Sequence, residues 1–260
     1  MAHGTGNRAV FASYNVHKCV GADRRFDPAR TAAVIAEVGA DVIALQEADK
    51  RFGDRAGLLD LAAIERSAGL VPVRITNGHS GHGWHGNLVL VREGAVTGLR
   101  QIKLPGLEPR GALVVDVDLS MGKVRVVAAH LGLFRHSRLL QVEALLAQAG
   151  ETTDRPVVLM GDLNEWRLRR RSALQGFSKG FGPLGLGVPS FPAFFPVLAL
   201  DRVLTRPHGL IEHIAAHESP LSRLASDHLP VRAVVRLDAR AHAEAGARPD
   251  RRHSGEGARP

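Results

Sequence analysis

Apolar positions along the chain follow two rhythms. In residues 9–17, 41–47, 71–75, 88–91, 95–104, 112–119, 123–129, 156–160 and 198–204, β-branched and aliphatic residues come in short runs. Each run is bounded by Gly, Pro, Asp or Asn, which predicts strands, and a last strand enters through Pro230-Val231. Three segments have helical spacing instead. Asp27-Pro28 pairs an N-cap with proline at the first helical position and opens a helix to Val38, stopped by Gly39. Residues 57–69 carry Leu58, Leu61, Ala62 and Ile64 on one face and end at Gly69. Residues 137–149 place Leu139, Val142, Leu145 and Leu146 on an inward stripe. The pairs Pro105-Gly106 and Met121-Gly122 read as tight turns between antiparallel strands. Residues 176–196, rich in Gly, Pro and Phe, read as an irregular loop. The pattern predicts one α/β unit, a size such folds often reach undivided.

Where the apolar runs stop, polar side chains appear. Asn15, Glu47, His130, Asp162 and Asn164 follow or end runs, Asn87 opens one, Asp201 interrupts one, and Asp227-His228 precedes the last. The stretch Pro156 to Glu165 is the most informative. A buried strand ends at Gly161, and Asp162 and Asn164 then leave it one residue apart. Gly-Asp-x-Asn is good turn chemistry, since both side chains bond their own backbone. It is also an anionic acceptor beside a carboxamide, able to orient a water while the carboxylate draws its proton. Asp201 sits among apolar neighbours and needs a partner, for which His228 is the natural choice. These groups are dispersed over the whole chain, as a site built along one sheet edge requires. Hard oxygen donors without a cysteine set suit magnesium, with manganese possible, rather than zinc.

Two segments extend this candidate site. Residues 77–87 carry His79, His82 and His85 among glycines; without a carboxylate or cysteine to complete a zinc set, they read as a substrate-lining loop with Trp84 or His85 available to stack. After Asn164 comes Trp166-Arg167-Leu168-Arg169-Arg170-Arg171, equally a solvated helix face or a phosphate-facing rim led by Arg167.

Charge and termini add partners and boundaries. The formal net charge is +8, which suits polyanions such as DNA, RNA or an anionic lipid head group. Of this, +2 lies in residues 239–260, a segment rich in Ala, Gly, Arg and Pro that is expected to be a disordered basic tail from residue 238 onward. The expected organisation is a short segment 1–7, one domain over 8–237 and the tail 238–260. No apolar run approaches the ~18 residues that cross a bilayer. Met1–Asn7 lacks a basic segment followed by an apolar core. With Cys19 the single cysteine, the expectation is a cytoplasmic monomer.

Tyr14-Asn15-Val16-His17, Leu45-Gln46-Glu47, Gly86-Asn87, Ala129-His130-Leu131, Gly161-Asp162-Leu163-Asn164, Leu200-Asp201 and Ser226-Asp227-His228-Leu229-Pro230-Val231 together resemble the endonuclease/exonuclease/phosphatase superfamily, in its order, over residues 8–236. The resemblance implies a four-layer α-β-β-α sandwich, two mainly antiparallel sheets packed face to face with helices outside. It implies magnesium-dependent hydrolysis of phosphate esters, phosphodiesters foremost, in a nuclease-like reaction. Phospholipid or small-molecule phosphodiesterase or phosphatase activity is the alternative, and a non-catalytic nucleic-acid or membrane-binding module the third reading. Position by position, it implies Glu47 as principal metal ligand beside Asn15 and Asp227. Asp162 would activate water and Asn164 orient it; His228, oriented by Asp201, would bind or protonate the phosphoryl group; His130 would meet phosphate or leaving oxygen. Asn87 matches a position near substrate. Some endonucleases of this superfamily have an acid two residues after the first Asn, where this chain has His17.

Overall fold

The structure is a computed structural model and describes residues 7–50, 55–75, 81–149, 155–167 and 171–237. In chain order the elements are β1 (Arg8–Asn15), α1 (Pro28–Val38), β2 (Val42–Gln46), α2 (Leu61–Ala68), β3 (Val71–Pro72), β4 (Leu88–Val91), β5 (Ala95–Leu104), β6 (Arg110–Leu119), β7 (Gly122–His130), α3 (Arg135–Ala149), β8 (Val157–Asp162), α4 (Ser178–Phe181), β9 (Asp201–Arg206), β10 (Ile211–Ala216), α5 (Pro220–Ala225) and β11 (Val231–Arg236). One sheet runs β10-β11-β1-β2-β4-β3 and the other β5-β6-β7-β8-β9. Pairing is antiparallel except for β1 with β2 and β7 with β8.

Three apolar layers explain why the central strands read as continuous hydrophobic runs. Phe11, Val42, Ala44, Val89, Val115, Val126, Val158 and Met160 fill the space between the sheets. Their alternating neighbours face outward under helices: Tyr14, Ile43 and Leu90 with Val34, Ile35 and Ile64 on one side, Val127 and Leu159 with Val142, Leu145 and Phe177 on the other. Both faces of each central strand are therefore buried. Each large aliphatic or aromatic side chain so placed contributes about 1.5–3 kcal/mol. The result is the expected four-layer sandwich.

Several boundaries differ from the sequence expectation, each for a local reason. β1 stops at Asn15, because His17, Lys18 and Cys19 adopt φ of 46, 55 and 59°, a left-handed turn. The helix expected from residue 57 starts at Leu61, where the Asp60 side chain accepts from the Ala63 amide at 2.9 Å. On α3, Val142 and Leu145 are buried as expected, but Arg138 and Gln141 take the inward places nearer its start. Gln141 accepts from the Gly132 amide at 2.8 Å and donates to the Pro105 carbonyl at 2.9 Å, so these polar groups hold the loop after β7. β10 and α5 have no counterpart among the expected elements. β10 carries a bulge between Ile211 and His213 that spoils its alternation. The six residues of α5 are too few for helical periodicity, although Ser219 and Ser222 form a capping box at its start, with Pro220 at the first helical position. The expected tail falls outside the described residues. Among the described residues, no helix is long and apolar enough to cross a membrane.

Candidate active site at one edge of the sandwich

Two crossovers bring the strand ends together. β1-α1-β2 and β7-α3-β8 each return the chain parallel to itself, so Asn15 pairs in register with Gln46, immediately before Glu47, and His130 with Asp162. β9 runs antiparallel to β8, which sets Asp201 opposite Asp162 in the same row. Gly161 lets the row close up: its φ is 155°, and a Cβ there would run into the Ala129 carbonyl. The Ser226 hydroxyl donates to the Asn15 carbonyl at 2.7 Å and accepts from the His228 amide at 3.2 Å, tying the Asp227-His228 turn to the end of β1.

Asp162 is the meeting point. Its Oδ1 accepts from the Asn164 amide at 3.0 Å, and Oδ2 accepts from Asn15 Nδ2 at 3.0 Å. His130 Nε2 lies 3.4 Å and His228 Nε2 3.8 Å from the same Oδ2. Asn164, with φ of 51°, donates its side-chain amide to the Leu131 carbonyl at 2.9 Å, so the acid and amide of the Gly-Asp-x-Asn turn are locked to each other and to the end of β7.

The two imidazoles are buried alike but carry different charge. Burial disfavours a cation at His228, yet the Asp201 carboxylate, whose Oδ2 is 2.8 Å from Nδ1, outweighs it with help from Asp162 and Asp227, and the ring is pushed up to about 10. Ser190 Oγ donates to the same Asp201 oxygen at 2.6 Å, and the Phe191 ring lies 4.8 Å from the imidazole. Burial also dominates at His130; Asp162 opposes it, but Arg110, His228 and Lys18 add positive charge, and the ring is pushed down to about 3.

Glu47 stands at the mouth, held at φ of 55°. That conformation costs a non-glycine residue on the order of 1–3 kcal/mol, and such outliers cluster at functional sites. Burial would raise its pKa, but the Lys18 ammonium bonded to Oε2, with His17 and Arg110 nearby, holds it below the usual carboxylate value. Lys18, Glu47, Asp49, Arg55, His85, Pro109, Arg110 and His130 line one cavity. Asp227 is half-exposed, 3.7 Å from His17 Nδ1. Among the described residues, no three His, Cys, Asp or Glu side chains gather as a metal cluster.

The other expected substrate contacts are placed as follows. His85 lines the cavity and donates Nδ1–H to the Pro109 carbonyl at 3.1 Å. Trp84 is half-buried, its indole N–H donated to the Ile102 carbonyl at 2.9 Å. Asn87 is fully buried, and its amide donates to the Trp84 and Gly111 carbonyls at 3.1 and 2.9 Å. Arg167 lies over the Trp166 ring at 4.9 Å with Nη1 3.7 Å from Glu165. His79 and residues 168–170 of the arginine run fall outside the described residues.

Five residues have roles with no place in the sequence expectation. Arg110 donates Nη1–H to His130 Nδ1 at 3.1 Å. Lys18 holds Glu47, and Ser190 holds Asp201. Glu165 and Arg138, both fully buried, pair at 3.3 Å; Glu165 also accepts from the Arg167 and Ala173 amides at 2.9 and 2.8 Å, fixing the chain as it leaves Asn164. A charged residue on the apolar stripe of α3 was the one readable sign of this pair.

The sequence profile of the Endonuclease/Exonuclease/phosphatase family matches residues 12–228. No curated protein matches the chain. Solved structures similar to it include an endonuclease/exonuclease/phosphatase from Beutenbergia cavernae, 24% identical with a TM-score of 0.66, over 88% of this chain and 72% of that one. TDP2 of D. rerio in complex with a single-strand DNA product is 17% identical with a TM-score of 0.60, over 87% and 98%. A mannosyl-6-phosphatase of Bacteroides thetaiotaomicron is 16% identical with a TM-score of 0.61, over 87% and 99%. At these identities the structural likeness speaks for the fold alone, and the profile match over most of the chain speaks for kinship: the chain belongs to the endonuclease/exonuclease/phosphatase family.

Proposed function

We propose that this edge hydrolyses phosphate esters, phosphodiesters first, with Mg2+ or Mn2+ as cofactor. The observation that carries the reading is one carboxylate oxygen, Asp162 Oδ2, faced by His130 Nε2 at 3.4 Å and by His228 Nε2 at 3.8 Å, the second ring backed by Asp201. Asp162 accepts the proton of the attacking water, and the Asn164 side-chain oxygen, left over after its amide binds Leu131, orients that water. Cationic His228, held by Asp201, stabilises charge on the non-bridging oxygens. His130 donates Nε2–H towards the phosphoryl or leaving oxygen.

Glu47, Asp227 and Asn15 supply only oxygen donors, with two carboxylates among them. That chemistry fits magnesium, which keeps several waters and takes one or two carboxylates plus substrate phosphate. When bound, the ion would neutralise charge on the phosphoryl oxygens. Lys18, which holds Glu47 Oε2, would place an ammonium beside the same phosphate.

Net charge of +8, the Lys18, Arg55 and Arg110 cavity wall, His85 within it and Arg167 outside favour a nucleic acid, DNA or RNA, as substrate. The DNA-bound TDP2 neighbour supports this choice. One observation favours a phospholipid head group instead: Leu133, Phe134, Trp166, Phe194 and Phe195 are exposed on loops leaving or touching site residues. A panel of single- and double-stranded DNA, RNA, bis-p-nitrophenyl phosphate, sphingomyelin and inositol phosphates, with magnesium and with chelator, separates the two. Metal-dependent cleavage confined to the nucleic acids and the small diester supports the first choice. Cleavage confined to sphingomyelin overturns it.

A further inference from the structure

Arg110 opens β6, beside the strand that ends in His130, and lines the cavity shared by Glu47 and His130. Its Nη1 is 3.1 Å from His130 Nδ1. A guanidinium has five N–H donors, no acceptor, and stays protonated throughout the range in which enzymes work. The contact therefore has one polarity: arginine donates and Nδ1 accepts. A ring whose Nδ1 accepts carries its single proton on Nε2, and that proton faces Asp162 Oδ2 at 3.4 Å. At the other imidazole the polarity is reversed, because Asp201 can only accept and His228 Nδ1 must donate.

We propose that Arg110 is a positioning residue: by donating to Nδ1 it fixes His130 as the Nε2–H tautomer, so that His130 presents a donor, never a base, to Asp162 and the phosphate beside it. The base role then falls to Asp162 alone, whose Oδ2 is surrounded by the Asn15 amide and both imidazoles. The inference rests on the catalytic reading of His130 and Asp162 given above, but its physical core, the tautomer, is open to measurement without any substrate.

The test is the ring-nitrogen NMR of His130 in metal-free protein at neutral pH, assigned against His130→Asn, for wild type, Arg110→Met and Arg110→Lys. Turnover of the best phosphodiester from the panel is measured alongside. Wild type is expected to show an unprotonated Nδ1 and a protonated Nε2. Arg110→Met, folded as judged by its melting curve, is expected to lose that pattern and to drop kcat about 10-fold or more, within the range for a general acid or base put out of place. Arg110→Lys, whose ammonium also only donates, is expected to restore the tautomer and part of kcat. A proton on Nδ1 in wild type overturns the proposal, as does a wild-type tautomer in Arg110→Met; the wild-type spectrum decides even where a variant fails to fold. If the rings behave as expected and wild type cleaves nothing in the panel, the catalytic reading falls and the positioning role in catalysis falls with it.

Discussion

The corner around His130 and the corner around His228 face the same carboxylate oxygen, and both are buried in the edge of the sandwich. Their second partners differ. Asp201, supported by Ser190, backs one ring and makes it a cation despite its burial; burial, with the positive charge of Arg110 added, leaves the other neutral. Burial alone would neutralise both. The difference teaches that residue type and depth do not set an imidazole's role here, and that the group on the far nitrogen does.

Removing the cationic side is expected to have the largest effect. His228→Ala should lower kcat by about 10²-fold or more, as loss of a preorganised electrostatic donor does, with folding intact. A near wild-type rate would mean that the charged corner does no chemistry. Breaking the buried Glu165–Arg138 pair attacks the turn between the corners instead. Arg138→Met strips the buried Glu165 of its closest cation, leaving Arg167 at 3.7 Å and two amide donors, and is expected to cost as much as about 3–5 kcal/mol in a denaturant titration. An unchanged midpoint would show that the pair does not anchor the turn.

The pH dependence of stability, measured in chelator, shows each corner separately. His228 has a folded-state value of about 10, above the unfolded value of about 6.5, so its stabilisation is complete below 6.5 and is lost as pH rises through 10. His130 is depressed to about 3, so its neutral burial is fully tolerated above 6.5 and costs stability as pH falls towards 3. Asp201→Asn should flatten the alkaline limb and leave the acid limb; His130→Asn should do the reverse. Urea midpoints across that range check both, and limbs that respond to the wrong variant would refute the charge assignment. The smallest expected effect is that of Ser190→Ala. It removes one hydrogen bond to Asp201, worth about 1.5–3 kcal/mol when the acceptor is charged, and should lower kcat a few-fold. A Thr replacement that restores the rate would separate orientation of Asp201 from simple packing.

Much of this edge was legible in the sequence because strand ends are punctuated. Asn15, Glu47, His130, Asp162 and Asp227 each follow an apolar run or introduce one, and the parallel crossovers carry such ends to one place. The pairing of Asp201 with His228 was legible for another reason, since a carboxylate among apolar residues needs a partner. Arg110 was not. It lies between the expected turn at Pro105-Gly106 and the strand expected from residue 112, where an arginine signals nothing, and acquires its role only through the β6–β7 register. Lys18 depends on a left-handed turn that brings it back over Glu47, and that turn contains no glycine to announce it. Ser190 lies inside a loop without periodicity and reaches Asp201 through the bridge between Phe191 and Leu198. Contacts made across the chain by ordinary residues leave no local trace.

The most direct measurement is cleavage of bis-p-nitrophenyl phosphate and of single-stranded DNA by wild type and Asp162→Asn, each with magnesium and with chelator. Wild type with magnesium is expected to cleave at least one of them. Chelator should abolish that activity, and Asp162→Asn should lose about 10²-fold or more while melting at the wild-type temperature. Equal rates in the variant, or cleavage that survives the chelator, would contradict metal-dependent hydrolysis with Asp162 as its base.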